Sequence, residues 1–177
     1  MNKEDRIHHQ AVGAYGEKAV EAELLRWGWI PANVNASVKN AANYDIVAQK
    51  KGEVALIRVK TCGPGQRAFQ WSIAKGKRFS AMGVPENDFI VLVSMGEARD
   101  DDEFWIVPTP VVRRRLKEAQ DEYYGQLKRD GQPRVDNGQC TLWLDQLKRE
   151  TQQTRQAYGI ANAWKSYRNN WALLGPT

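Results

Sequence analysis

The sequence predicts an α/β fold, a mixed sheet with helices against it, followed by a C-terminal helical extension. Three observations carry this expectation. A helical apolar repeat opens the chain, two short apolar strands follow across a tight turn, and a later continuous apolar run, DFIVLVSM, suits a strand covered on both faces. At 177 residues the chain is long enough to bury a proper core. We divide it into a core over residues 1–118 and a helical extension over 119–177 that packs on the core or on a partner subunit.

The first helix is expected from about residue 11 to 28. Val20, Leu24 and Trp27 follow the helical repeat, and Gly28 supplies a stop signal. Glu17 falls beside that stripe, Glu21 lies at its outer edge, and Glu23 points elsewhere. The Asn- and Ala-rich stretch IPANVNASVKNAAN reads as a loop, which delivers the chain to the strands YDIVAQ and VALIRVKT, joined by the turn KKGE. After the loop TCGPGQ, RAFQWSIA is a third strand, and the basic AKGKRFSAMG leads through a short helix. DFIVLVSM, the acidic turn GEARDDDE and the strand FWIVP come next. PTPVVRRRLKEAQDEYY then begins as a helix with prolines at its start. Beyond residue 120 the character changes, to the turn GQPRVDNG, a short TLWL segment and a long polar helix-like stretch from Asp145 to Trp171.

Composition narrows the function classes. A hydrophobic share of 42% and a charged share of 27% are those of an ordinary soluble protein. The net charge of +5 and a pI near 9.2 favour polyanionic partners, because clustered Lys and Arg displace counterions from a nucleic-acid backbone. The start MNKEDRIHHQ has no apolar signal region and no run is long enough to cross a membrane, so a cytoplasmic protein with no membrane partner is expected. Cys62 and Cys140 stand in no metal spacing and read as reduced, partly buried thiols. His8 and His9 are adjacent near the N-terminus and are not expected to form a ligand pair.

Chemistry concentrates at one end of the predicted hairpin. Alternation sets Val54, Leu56, Arg58 and Lys60 on one side of their strand and Ala55, Ile57, Val59 and Thr61 on the other. With KKGE as the turn, Gln49 faces Val54, and counting back places Asp45 opposite Arg58 on the same face. One reading of this group is structural: a cross-strand Asp45–Arg58 ion pair, with Lys60 extending its tip to water. The other is a site that meets a phosphodiester, with Asp45 and Glu17 holding a divalent cation through hard oxygen ligands while Lys60 orients water and offsets transition-state charge.

These residues resemble the PD-(D/E)XK nuclease superfamily, and within it the Holliday-junction resolvase-like and restriction-endonuclease-like branch. GAYGEKAVEAELLRWGW resembles that branch's first helix, which puts Glu17 at its glutamate. YDIV resembles the strand that carries the family aspartate, at Asp45, and RVKT stands where the acid-x-lysine motif belongs, at Lys60. The resemblance runs from about Val12 to Leu116. It implies an αβββαβ core, metal-dependent endonuclease activity, Mg²⁺ or Mn²⁺ on Glu17 and Asp45, DNA as the partner, and a dimer. One position departs from the pattern. Arg58 stands where the family carries an acid or Gln, and a guanidinium cannot ligate a cation. Three arrangements are then open: Glu17 completes the metal site while Arg58 binds DNA phosphate, the fold only binds nucleic acid, or the charges serve one another structurally. The functional alternatives are accordingly a hydrolytic endonuclease and a catalytically inactive DNA-binding or assembly module.

Outside this cluster, Lys75, Lys77 and Arg78 form a basic loop suited to phosphate contact, and Arg113 and Arg114 head a run of three arginines on a helix. Successive helical positions lie about 100° apart, so Arg113, Arg114 and Arg115 cannot all face one way. Trp27, Trp71, Trp105 and Trp143 are expected in the core. The C-terminal helix, with Tyr158, Trp164, Tyr167 and Trp171, is the expected homodimer contact.

Overall fold

Helix α1 (Lys3–Arg26) starts earlier than the apolar repeat suggests and stops where the sequence says it must. Gly28 adopts a φ of +76°, a left-handed conformation open to glycine at little cost. Its N–H bonds the Leu25 carbonyl at 3.0 Å, and the Trp29 N–H returns to the Leu24 carbonyl at 2.9 Å, a Schellman ending. This reversal decides which tryptophan is core. Trp27 sits on the last turn and is 44% exposed, whereas Trp29, past the glycine, is buried beside Leu24.

The computed structural model describes residues 3–34, 44–66, 68–80, 82–144 and 159–175. The chain divides into two compact units, one built from 1–66, 85–108 and 166–177, the other from 67–84 and 109–165. This differs from the expected cut at 118, because the last segment returns to the first unit and a piece near residue 70 belongs with the second.

The first unit is a five-stranded mixed sheet in the order β1-β2-β3-β5-β6, formed by β1 (Ile30–Asn33), β2 (Ile46–Lys50), β3 (Glu53–Cys62), β5 (Asp88–Ser94) and β6 (Glu103–Pro108). Only β3 and β5 are parallel neighbours. The hairpin register is the expected one, with Gln49 opposite Val54. Its turn sets Lys51 and Gly52 at φ values of 49° and 89°, which matches the right-handed twist of the flanking strands. Helix α1 covers one face. There Ala19, Val20, Leu24 and Trp29 pack with Ile46, Ala48, Ala55, Ile57, Phe89, Val91 and Val93. Strand β5 is buried from Phe89 to Ser94, as its unbroken apolar run requires.

The chain's end runs along β6. Asn169 exchanges two hydrogen bonds with the Phe104 backbone, donating from its N–H at 2.8 Å and accepting at its side-chain oxygen at 3.2 Å. Trp171 then packs on Phe104, with ring centroids 5.5 Å apart, and joins the core with Leu174. The long C-terminal helix is therefore corrected over its described part: residues 159–175 hold the four-residue helix α3 (Ile160–Ala163) and two short 3-10 turns, while 145–158, including Tyr158, lie outside the described residues. Trp164 and Trp171 are buried within the chain, which removes them from an oligomer contact.

The second unit holds a two-stranded antiparallel sheet of β4 (Ala68–Ser72) and β7 (Gln139–Trp143), with helix α2 (Thr109–Tyr124). Thus the third predicted strand does not join the central sheet. Strand β1 takes an edge place instead, in a segment whose Asn, Ala and Pro content reads as loop. No helix occurs between residues 73 and 87 among the described residues, where the chain makes turns. Helix α2 buries Val112, Leu116 and Ala119, spaced at the helical period. Cys62 and Cys140 are both buried, and burial pushes the Cys140 thiol up to about 11. No helix of the described residues is long and apolar enough to cross a membrane.

Helix α1 approaches the sheet closely at Gly16. A Cβ built there would lie 1.8 Å from Thr61 Oγ1 and 2.9 Å from Thr61 Cβ. Gly16→Ala should therefore destabilise the protein by about 1–3 kcal/mol, outweighing any gain in helix propensity. Thermal unfolding of the single variant and of Gly16→Ala with Thr61→Gly checks this, since the second change should recover part of the loss.

Candidate functional site

Strand β3 places its charges by alternation. Arg58 pairs across the parallel ladder with Ile90, and Lys60 with Leu92, both buried residues of β5. Two half-buried cations thus project from one face of a central strand, opposite the face that receives α1. Lys60 holds its proton less firmly than an ordinary lysine. Burial disfavours the ammonium form and the Arg58 charge adds to that, while Asp45 opposes the shift.

Asp45 reaches this group by a local irregularity. Extending the register past Ile46–Ile57 would set Asp45 against Arg58, but its N–H bonds the Ile57 carbonyl at 2.8 Å, one step out of the ladder. The carboxylate then takes the place of a backbone acceptor, with Oδ2 accepting the Val59 N–H at 2.7 Å. Its own carbonyl is used elsewhere, accepting the Val34 N–H at 2.9 Å. The acid is therefore seated at the residue between the two cations, through a backbone bond that strand parity does not reveal.

Glu17 lies at the rim. The contact of Gly16 with Thr61 brings this turn of α1 to the residue after Lys60. Glu17 Oε2 accepts a 2.9 Å hydrogen bond from Asn33 Nδ2, which also donates to Glu21 Oε1 at 2.9 Å. Asn33 pairs with Ile46, the residue after Asp45. Sequence reasoning missed Asn33 because its strand was read as loop. It also missed Tyr15, whose hydroxyl donates to Asp102 Oδ2 and ties α1 to the acidic turn. That hydrogen bond raises the Tyr15 pKa, with burial adding to it.

A divalent cation takes hard oxygen ligands, which here would come from the Asp45 and Glu17 carboxylates. Among the described residues no three of His, Cys, Asp and Glu are grouped as a metal-holding set. Glu17 is bonded to Asn33, Asp45 to the Val59 amide, and Arg58 and Lys60 put positive charge beside the carboxylate.

The other basic candidates belong to the second unit, and two of the five, Arg78 and Arg113, are tied within it. Asp136 accepts the N–H groups of Gly76 and Gly138, each at 2.8 Å, and the Tyr124 hydroxyl at 2.7 Å. Arg78 lies 3.5 Å from Asp136 and stacks 4.2 Å from the Tyr124 ring centroid. Arg113 donates to the Ser80 carbonyl at 3.3 Å, and Arg115 to Glu118 at 3.3 Å. Lys75, Lys77 and Arg114 are exposed. The tyrosine hydrogen bond and the two glycine amides hold Asp136 well below the ordinary carboxylate range, and burial with the same hydrogen bond pushes Tyr124 up to about 12.

No protein-family model and no curated protein matches this chain. Among solved structures, it is similar to the bacterial homing endonuclease I-Ssp6803I, at a TM-score of 0.52 and 16% identity, with 93% of this chain and 91% of that one covered. At that identity the likeness is one of fold. MepB aligns at a TM-score of 0.33 and 10% identity over 71% of this chain and 77% of its own, too dissimilar to bear on the argument.

Asp45→Asn should lower the Lys60 pKa further by removing the attraction that opposes its burial, and Arg58→Gln should raise it by removing repulsion. Nitrogen-detected NMR titration of the lysine ammonium reads both directions. With the folded pKa below the ordinary 10.5, the unfolded chain binds more protons in that window, so this group makes stability rise with pH up to about 10.5. For Asp136 the slope has the same sign in a lower window: its contribution is present above the ordinary 3.8 and is lost as pH falls. Asp136→Asn should speed hydrogen exchange at the Gly76 and Gly138 amides by about tenfold, and unchanged protection would show that the carboxylate does not hold that loop.

Proposed function

We propose that this chain binds nucleic acid, DNA in particular, on an endonuclease-like scaffold, with Arg58 and Lys60 gripping a backbone phosphate. The observation that carries this reading is the pair of half-buried cations on one face of β3, with the Asp45 carboxylate bonded to the amide of the residue between them. Half-buried positive charge is costly, and a phosphate anion adjoining it would relieve part of that cost. The net charge of +5 and the fold shared with a homing endonuclease support the same class of partner. The finer assignment, a PD-(D/E)XK core with Glu17, Asp45 and Lys60 in the family positions, belongs to this reading. Exposed Lys75, Lys77 and Arg114 are further backbone contacts in it, whereas Arg78 and Arg113 serve the chain itself. Metal-dependent hydrolysis on Glu17 and Asp45 is the weaker form of the proposal, because Arg58 puts positive charge where a third acid would stand.

Fluorescence anisotropy with labelled duplex and single-stranded DNA over a range of salt tests the proposal. Arg58→Ala and Lys60→Ala should each weaken binding by about 10- to 100-fold and flatten the salt slope by about one unit. Wild-type affinity in both variants, with the slope unchanged, would remove this face from nucleic-acid contact.

A further inference from the structure

Charge is divided unequally between the two units. The segments of the second unit, 67–84 and 109–165, carry fifteen Lys and Arg against seven Asp and Glu, a net +8, whereas those of the first carry eleven against fourteen, a net −3. The +5 of the whole chain is thus made in the second unit, and long-range attraction for a polyanion comes from there.

Within that unit, Lys75, Lys77, Lys128 and Arg129 are exposed on two closed turns. In the first, the Lys77 N–H returns to the Ala74 carbonyl at 3.0 Å, and Gly76 supplies the φ of +76° that the third position of the turn needs. In the second, Leu127 bridges to Pro133, the Lys128 N–H bonds the Gln132 carbonyl at 2.8 Å, and the Gly131 N–H bonds the Lys128 carbonyl at 3.0 Å. Asp130 shares this turn, and its Oδ1 accepts the Gln132 N–H at 3.1 Å. Both turns are fastened at the end of α2. Arg78, next after Lys77, stacks 4.2 Å from the Tyr124 ring centroid, and Arg134, next after Pro133, stacks 4.6 Å from that of Tyr123. The two rings meet edge to face at 5.2 Å. Asp136 adds a direct tie: it accepts the Gly76 N–H, between the two lysines, and the Tyr124 hydroxyl. Arg78 and Arg134 therefore serve as anchors that set the two turns beside one another.

Resting on the nucleic-acid reading above, we infer that the second unit is the principal docking surface for the sugar–phosphate backbone of DNA, with Lys75, Lys77, Lys128 and Arg129 as its phosphate contacts. Phosphates recur along a duplex, so cations on two neighbouring turns can each meet one, and such contacts position the duplex without reading its sequence. An anionic membrane is the less apt partner, because α2 buries its apolar residues Val112, Leu116 and Ala119 rather than offering them to lipid.

Anisotropy with a labelled random-sequence DNA duplex over a range of salt tests this. Lys75→Ala with Lys77→Ala, and Lys128→Ala with Arg129→Ala, should each weaken binding by about tenfold and flatten the salt slope by about two units. Lys18→Ala with Arg26→Ala removes the same charge from exposed positions of the first unit, and should keep the slope with affinity within about twofold of wild type. Asp130→Asn keeps an acceptor for the Gln132 amide and removes a negative charge, so it should tighten binding by about two- to fivefold, a gain that misfolding cannot produce. In the wild-type protein the bound duplex should shield Lys75, Lys77 and Lys128 from acetylation by an N-hydroxysuccinimide ester while Lys18 stays reactive, a readout that needs no variant. Wild-type slopes in both turn variants, or unshielded lysines in the bound state, overturn the inference; if Arg58→Ala and Lys60→Ala still lose affinity, the nucleic-acid reading stands without it. Binding of phosphatidylserine vesicles through these four residues, with no binding of the duplex even at low salt, overturns the reading and the inference together.

Discussion

Strand β3 has no free edge, and the rest of the first unit follows from that. It is hydrogen-bonded to β2 on one side and to β5 on the other, so each of its side chains is committed to one face. Ala55 and Ile57 go to the core beneath α1. Arg58 and Lys60 are thereby sent to the other face, beside Ile90 and Leu92, where an exposed strand would let them swing into water. A one-residue slip of β2 against β3 would exchange the two sets, and the positive-φ turn at Lys51 and Gly52 fixes the register that prevents it.

Around this strand the site is held by backbone as much as by charge. The Val59 amide orients Asp45, the close approach of Gly16 to Thr61 docks α1, and Asn33 spans from β1 to Glu17. Such contacts give the charged groups little freedom. They also explain why Lys60 is perturbed: desolvation comes first, and the neighbouring charges only modulate it.

In the second unit the basic residues have divided roles. Asp136 gathers two glycine amides, a tyrosine hydroxyl and Arg78, so the segment that follows β4 is organised around an acid that lies far along the chain. Of the three consecutive arginines on α2, Arg113 and Arg115 find partners within the unit and Arg114 is exposed, as the 100° spacing of a helix requires. Positive charge in a sequence is thus not by itself a ligand surface.

Local patterns determined much of this protein. The hairpin register, the stop at Gly28, the doubly covered strand DFIVLVSM and the shared face of Arg58 and Lys60 all follow from alternation, turn chemistry and side-chain period, which act over a few residues. What only the tertiary structure decided are the pairings between distant segments. The weak strand Ile30–Asn33 forms because β2 offers it an edge, and Ala68–Ser72 leaves the central sheet because Gln139–Trp143 pairs with it instead. Trp29 replaces Trp27 in the core once the chain reverses, and Trp171 is drawn onto Phe104 rather than onto a partner. Asp45 leaves the ladder to serve the Val59 amide, a step no periodicity encodes, because strand pairing and side-chain acceptance compete for the same backbone donor and only the assembled sheet settles which one wins.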